Sequence, residues 1–206
     1  MAHLRLVRGG GPGFITDCVT ALVELGTSGV LSPPLPRSAQ RTWRDADFQD
    51  HADLSLLRRE LTKISPPSHL VHTGDHDDLE EALRIDRKAF TDFWQFDREA
   101  LLEAIRSTPR SVIHVIRQPS GGLAGFAVTG VGSTIGYLQR VAVDPRWQGQ
   151  GMGRSLVRCS SRWAKQQGAQ ALMLNTQRDN PAALALYESE GFTTLHEPLV
   201  VLSRAA

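Results

Sequence analysis

The sequence predicts a mixed α/β fold, α+β in the order of its elements, built on a mixed sheet with a small αβ segment ahead of it. Three observations carry this. From about residue 69 onward, strand-period and helix-period apolar patterns follow as strand, two helices, three strands, helix, strand, helix, two strands, which is not the alternation of a doubly wound sheet. A proline break, Ser65-Pro66-Pro67-Ser68, divides the chain and sets expected domain limits of 1–64 and 69–206. A glycine-rich loop, Gln148-Gly149-Gln150-Gly151-Met152-Gly153-Arg154, stands between a strand and a helix.

Each element has a local reason. Leu54, Leu57 and Leu61 fall at helical spacing and predict an amphipathic stretch that the prolines stop. Leu70 and Val71 suggest a short strand, and Asp77 and Asp78 can cap a helix running to about Phe90. A second helix starts near Asp97 and ends before Pro109. Ser111 to Arg117 and Leu123 to Val131, joined through Pro119 to Gly122, read as a hairpin, followed by a strand from Gly136 to Val143. A helix from about Gly151 to Gln167 is stopped by Gly168, a left-handed cap. Ala171 to Thr176 is a buried strand, Pro181 to Glu190 a helix with proline in its first turn, and Phe192 to Leu202 two closing strands.

Composition excludes several classes. The chain has 206 residues, 41% hydrophobic and 22% charged, with 23 basic against 22 acidic side chains and a net charge of +1. No overall field selects a nucleic acid or an anionic membrane. No apolar run approaches the roughly 20 residues of a membrane helix, and the N-terminus has no signal-like apolar stretch, so the expected location is the cytoplasm. Cys18 and Cys159 give no disulfide framework and read as reduced core residues. His69, His72 and His76 with Asp75, Asp77 and Asp78 do not converge on a point from a strand and a turn, so no metal site is expected.

The glycine loop aims free backbone N–H groups and the positive end of a helix dipole at whatever anion lies in front. Gly149, Gly151 and Gly153 permit positive φ and let a diphosphate approach without a Cβ in the way. Arg154-Ser155 does not supply the Lys-Ser or Lys-Thr of a nucleotide P-loop, and Asn175 stands where a dinucleotide site needs an acid. A plain strand-to-helix turn is the other reading. In Asn180-Pro181-Ala182-Ala183-Leu184-Ala185-Leu186-Tyr187, residues 180, 183 and 187 share one helix face, an amide, a small residue and a phenol along one groove. Tyr187 taken alone reads better as a core aromatic packed under the sheet.

Taken together, the strand 137–143, the loop QGQGMGR and the helix NPAALALYESEGF resemble the GCN5-related N-acetyltransferase family over residues 69 to 206. The resemblance implies an acyl-CoA N-acyltransferase fold whose central sheet splays between the strands at 143 and 171–176. It implies that the backbone of Val141, Ala142 and Val143 pairs with the pantetheine arm of acetyl-CoA. Gln148, Gly149, Gln150, Gly151, Met152, Gly153 and Arg154 would hold the pyrophosphate, and Asn180 and Ala183 would meet the pantetheine. Tyr187 would protonate the departing thiolate while a primary amine, of a small molecule or a peptide, attacks directly; no metal is needed. A donor-binding sensor that has lost turnover is the alternative.

One variant of the family carries a glutamate as general base where this chain has Asn175, so the base is left open. An acceptor of lower pKa than a lysine's roughly 10.4 needs less of one. Tyr137, Gln139 and His114 are available as relays. Phe90, Phe93, Trp94 and Phe96, with Asp92, lie where the family builds its acceptor groove, and read equally as packing. Monomer and homodimer both fit.

Residues 9 to 60 echo 151 to 204: Gly9 and Gly11 fall under Gly151 and Gly153, Gly26 under Gly168, and after a two-residue shift Trp43 falls under Tyr187 and Phe48 under Phe192. The N-terminal segment is thus expected to be a degenerate partial copy of the same fold, empty of CoA.

Overall fold

The computed structural model describes residues 1–6 and 9–206, apart from the side chain of Asp92. Along the chain lie β1 (Ala2–His3), α1 (Pro12–Glu24), β2 (Gly29–Leu31), α2 (Arg41–Arg44), β3 (Gln49–Glu60), β4 (His72–Thr73), α3 (Leu79–Ala89), α4 (Arg98–Arg106), β5 (Arg110–Arg117) and β6 (Leu123–Gly132). There follow β7 (Ile135–Val143), α5 (Met152–Gln166), β8 (Ala171–Gln177), α6 (Pro181–Ser189), β9 (Thr193–Thr194) and β10 (Leu199–Ala205). Two compact units result: Met1–Leu56 with Asn175–Leu184 and Thr194–Ala206, and Leu57–Leu174 with Ala185–Thr193.

In the second unit β4, β5, β6 and β7 form an antiparallel run and β8 lies parallel to β7, so the sheet is mixed. β7 and β8 are in register only from Ile135↔Ala171 to Tyr137↔Met173, although β7 runs on to Val143. Beyond Tyr137 the two strands part, which is the splay. α3 and α4 cover one face through Leu79, Leu83 and Leu101 on Phe126 and Val128. α3 is oriented for its dipole, with Glu80 and Glu81 in its first turn and Arg87 and Lys88 in its last. Asp97 caps α4 by accepting from the Ala100 N–H at 2.7 Å. α5 packs so close to β7 that a Cβ on Gly136 would stand 3.0 Å from the Ala164 methyl; only glycine fits there.

In the first unit β1 and β2 are parallel, joined through α1, and β10 lies antiparallel between β2 and the start of β3. Ile15 and Val19 of α1 pack with Val30, Trp43, Phe48 and Leu202. β3 corrects the helical expectation for Leu54, Leu57 and Leu61. Leu57, Arg59 and Leu61 are buried at the period of a strand in the second unit and Leu54 is buried in the first, so two sets of contacts override one spacing.

The two units repeat local devices. α5 ends with Gly168 at φ +88, its N–H on the Lys165 carbonyl (3.0 Å) and the Ala169 N–H on the Ala164 carbonyl (3.0 Å). α1 ends with Gly26 at φ +91, its N–H on Val23 (2.8 Å) and the Thr27 N–H on Leu22 (3.2 Å). Cys18 and Cys159 are free thiols, half-buried rather than in the core.

Candidate active site

The glycine loop opens α5 in the second unit. Asp144 ends β7 and shapes the approach: its carboxylate accepts from the Arg146 N–H (3.0 Å) and guanidinium (3.0 and 2.9 Å) and from the Lys88 ammonium (3.2 Å). The Arg146 bonds chiefly hold that carboxyl well below the usual carboxylate range, with Lys88 adding to them. Gly149 and Gly151 then take φ of +75 and +83, and Gly151 is the N-cap of α5. The first backbone bond of the helix runs from the Ser155 N–H to the Gly151 carbonyl (3.0 Å). None of the N–H groups of residues 149 to 154 meets a backbone or side-chain acceptor among the described residues. They form a row of donors, and at Gly149 and Gly151 side-chain bulk is absent.

The strand edge beside the loop is selective. The Asp144 N–H bonds the Ala124 carbonyl (2.9 Å), so by alternation Ala142 also turns its backbone groups to β6. Val141 and Val143 turn theirs to the open side. The Gln148 amide donates to the Val143 carbonyl at 3.0 Å, which leaves the Val143 N–H and both groups of Val141 on that edge.

Tyr187 on α6 is buried, its ring edge-on to Phe192 at 5.6 Å. Its hydroxyl makes no hydrogen bond among the described residues. Burial pushes the phenol up to about 12, against a smaller opposing pull from Arg140. Leu186, one residue back, lies 3.5 Å from where a Cβ on Gly153 would stand, so α6 meets the start of α5. Asn180 and Ala183 begin α6 and belong to the first unit. The Asn180 side-chain oxygen is the helix cap, accepting from the Ala183 N–H at 3.0 Å, a job the residue before a first-turn proline often has.

Arg154 is shared with a buried acid: its guanidinium is 3.4 Å from Glu190, which also accepts from Arg158 at 2.9 and 2.8 Å and lies 3.8 Å from Arg59. Three cations around one carboxylate leave positive charge near the loop. The aromatic segment after α3 is built around a second pair that sequence reading missed, Asp86 with Arg140. The Arg140 guanidinium lies 3.5 Å from the Phe90 ring centroid and 4.0 Å from that of Phe96, and donates to the Trp94 carbonyl at 2.6 Å. Asp92 was set beside this segment by sequence, and its side chain lies outside the described residues.

Of the relay candidates, Tyr137 is exposed, Gln139 accepts from Ser107 (2.9 Å), and His114 is buried, with burial lowering its pKa to about 4. Asn175 is exposed on β8. No group of three or more His, Cys, Asp or Glu among the described residues could hold a metal ion, and no described helix is long and apolar enough to cross a membrane.

A model of the Acetyltransferase (GNAT) family matches residues 79–192. The chain is 41% identical over 73 residues to the ribosomal protein bS18 alanine N-acetyltransferase of Escherichia coli K12, which covers 35% of this chain and 49% of that protein. It is 31% identical over 142 residues to the mycothiol acetyltransferase of Amycolatopsis mediterranei, 62% of this chain and 46% of that protein. The chain thus spans about half the length of each of these relatives. A GCN5-related N-acetyltransferase crystal structure from Sphaerobacter thermophilus has the same fold, with a TM-score of 0.66 and 15% identity over 94% of this chain and 66% of that one.

Proposed function

Because the chain belongs to the acetyltransferase (GNAT) family, we propose that it is an N-acetyltransferase that moves an acetyl group from acetyl-CoA to a primary amine by direct attack. The observation that carries this is the row of N–H groups from Gly149 to Arg154 with no protein acceptor among the described residues, opened by two left-handed glycines, Gly149 and Gly151, and next to surplus guanidinium charge. It suits a diphosphate. Acetyl-CoA supplies the thioester: the amine nitrogen bonds the carbonyl carbon, the carbon–sulfur bond breaks, and the amine proton leaves to solvent or a relay. Val141 and Val143 offer their open backbone groups to the amide arm, in the manner of an added strand. Ala142, Asn180 and Ala183 are assigned to that arm by the family resemblance alone. Tyr187 holds a proton on a hydroxyl with no protein partner, gives it to the departing sulfur, and regains one from solvent. A site without a strong carboxylate base suits an amine of lower pKa, such as an α-amine near 7.7 to 8.

The test is acetylation of a panel of α-amines and lysine side chains, with CoA affinity measured on wild type and Gly151→Glu. Product formation and loss of CoA binding in the variant are expected. Binding without turnover on any amine would leave a donor-binding sensor, and unchanged affinity of Gly151→Glu would place the cofactor elsewhere.

We further infer that residues 1–64 are a partial copy of the same fold. The parallel β1–α1–β2 unit and the matching glycine caps after α1 and α5 support it. So does the turn after α2: the Phe48 and Ala46 N–H groups share the Trp43 carbonyl (3.2 and 3.0 Å), as those of Phe192 and Glu190 share Tyr187's (3.0 and 3.1 Å). In its glycine segment a Cβ on Gly10 would lie 2.6 Å from the Phe14 ring, whereas Gly9 and Gly11 face open space.

A further inference from the structure

We propose that His69 is a side-chain ligand of the acyl-donor site, presenting its Nε2–H to the diphosphate beside the glycine loop. This rests on the donor reading above. It begins with the proline-rich stretch between Thr62 and His69, which is laid along one face of α5. Lys165 donates to the Thr62 carbonyl (2.6 Å), Arg162 to Ile64 (3.5 Å) and Arg158 to Pro66 (3.2 Å), and the Ser155 hydroxyl oxygen takes the N–H groups of Ser68 and His69 (3.2 Å each). Residues 155, 158, 162 and 165 recur at helical spacing, so the chain is strapped from the end of α5 to its start. The strap delivers His69 to the loop: Cε1 of its ring lies 3.6 Å from where a Cβ on Gly151 would be.

Counting the bonds of Ser155 sets the tautomer. Its hydroxyl oxygen has two lone pairs, and the two backbone N–H groups occupy them. The hydroxyl can then only donate, and the nearest acceptor is His69 Nδ1 at 3.0 Å, with Ser68 Oγ at 3.2 Å. An Nδ1–H would point at a Ser155 oxygen with no lone pair free, with only the Ser68 Oγ, farther off at 3.4 Å, in its place. The neutral ring therefore carries its proton on Nε2, since Nδ1 is taken by Ser155, and Cε1, the carbon between the two nitrogens, is the ring atom beside Gly151. A fixed donor next to a row of backbone donors adds to an anion site without having to become charged.

Two measurements test this. Long-range proton–nitrogen correlation on the ligand-free protein, with the His69 signals identified by their loss in His69→Gln, is expected to show the Nε2–H form; a dominant Nδ1–H form overturns the proposal. CoA affinity is then measured for wild type, His69→Ala and His69→Gln, with pantetheine, which lacks the diphosphate, as the comparison ligand. His69→Ala should weaken CoA about tenfold and leave pantetheine unchanged, and the glutamine amide should restore most of the loss. Equal CoA affinity in His69→Ala, or equal weakening of both ligands, overturns the role of His69 while Gly151→Glu still reports on the loop. CoA binding that survives Gly151→Glu removes the donor reading and this proposal with it.

Discussion

Asp86 and Arg140, 54 residues apart, face each other through two hydrogen bonds of 2.6 and 2.8 Å in the core of the second unit. Asp86 has no exposed surface and also accepts from the Phe96 N–H at 2.7 Å, so the pair ties α3 and β7 to the aromatic segment. Removing one partner strands the other charge in the core. Asp86→Leu or Arg140→Met alone should cost about 3 to 5 kcal/mol, whereas the two together should recover much of it, because the cost lies in the unpaired charge. Urea unfolding of the four proteins gives the cycle. A single variant within about 1 kcal/mol of wild type would mean that water reaches the site.

Tyr187→Phe separates proton donation from packing. The ring contact with Phe192 survives the change, and the hydroxyl has no hydrogen-bond partner among the described residues to abandon. CoA affinity and melting temperature should stay near wild type while kcat falls by roughly 10- to 10³-fold. Since burial pushes the phenol up to about 12, ionisation of Tyr187 itself should cause no loss of rate below about pH 11. An unchanged kcat on the same amine would return Tyr187 to the core and leave thiolate protonation to water.

The element order after residue 69 was legible because most apolar patterns there keep one period, and Leu79, Leu83 and Leu101 are as buried as their spacing requires; the short strand expected at Leu70 and Val71 lies instead at His72–Thr73, with Leu70 exposed. β3 was not, since Leu54 and Leu57 answer to different units and their spacing imitates a helix. At the site, local motifs were readable: the loop and its glycines, and the capping glycine after α5. Asp86–Arg140, Glu190–Arg158 and Ser155–His69 were not, because partners 54, 32 and 86 positions apart leave no periodic trace. The role of Asn180 as a cap was readable from the proline after it, and its side-chain oxygen accepts from the Ala183 N–H.

His114 makes the fold sensitive to mild acid. The ring is 4% exposed, edge-on to Trp163 at 6.4 Å, and burial lowers its pKa from 6.5 to about 4. As pH falls below about 6.5 the unfolded imidazole takes up a proton and the folded one does not, so the unfolded state is favoured until the folded group titrates near 4. Stability should drop by about 3 kcal/mol across that window and level off below it. Urea midpoints for wild type and His114→Gln over the same range provide the check. The same slope in both would assign the acid sensitivity to other groups.

The partial-copy reading makes a prediction about a residue far from any catalytic group. Asp47 has φ +62 and Gly191 has φ +82, each just before the aromatic residue, Phe48 or Phe192, that closes its turn. The Asp47 N–H bonds the Arg44 carbonyl at 3.0 Å and the Gly191 N–H bonds Glu188 at 2.9 Å, so the two turns share these bonds, although Glu190 alone also bonds the Leu186 carbonyl (3.1 Å). A left-handed backbone costs an L-residue about 1 kcal/mol or more, and the exposed Asp47 side chain makes no hydrogen bond among the described residues to offset it. Asp47→Gly should therefore stabilise the protein by about 0.5 kcal/mol, the relief being partly cancelled by a freer unfolded chain. Gly191→Ala should destabilise by about 1 kcal/mol, and through conformation alone, since the nearest atom to an added Cβ is Arg59 Nε at 3.8 Å. Urea unfolding of both variants decides the matter. A loss of stability in Asp47→Gly would show that the aspartate side chain holds its turn in a way the glycine of the other unit does not, and the correspondence would then rest on backbone shape without common design.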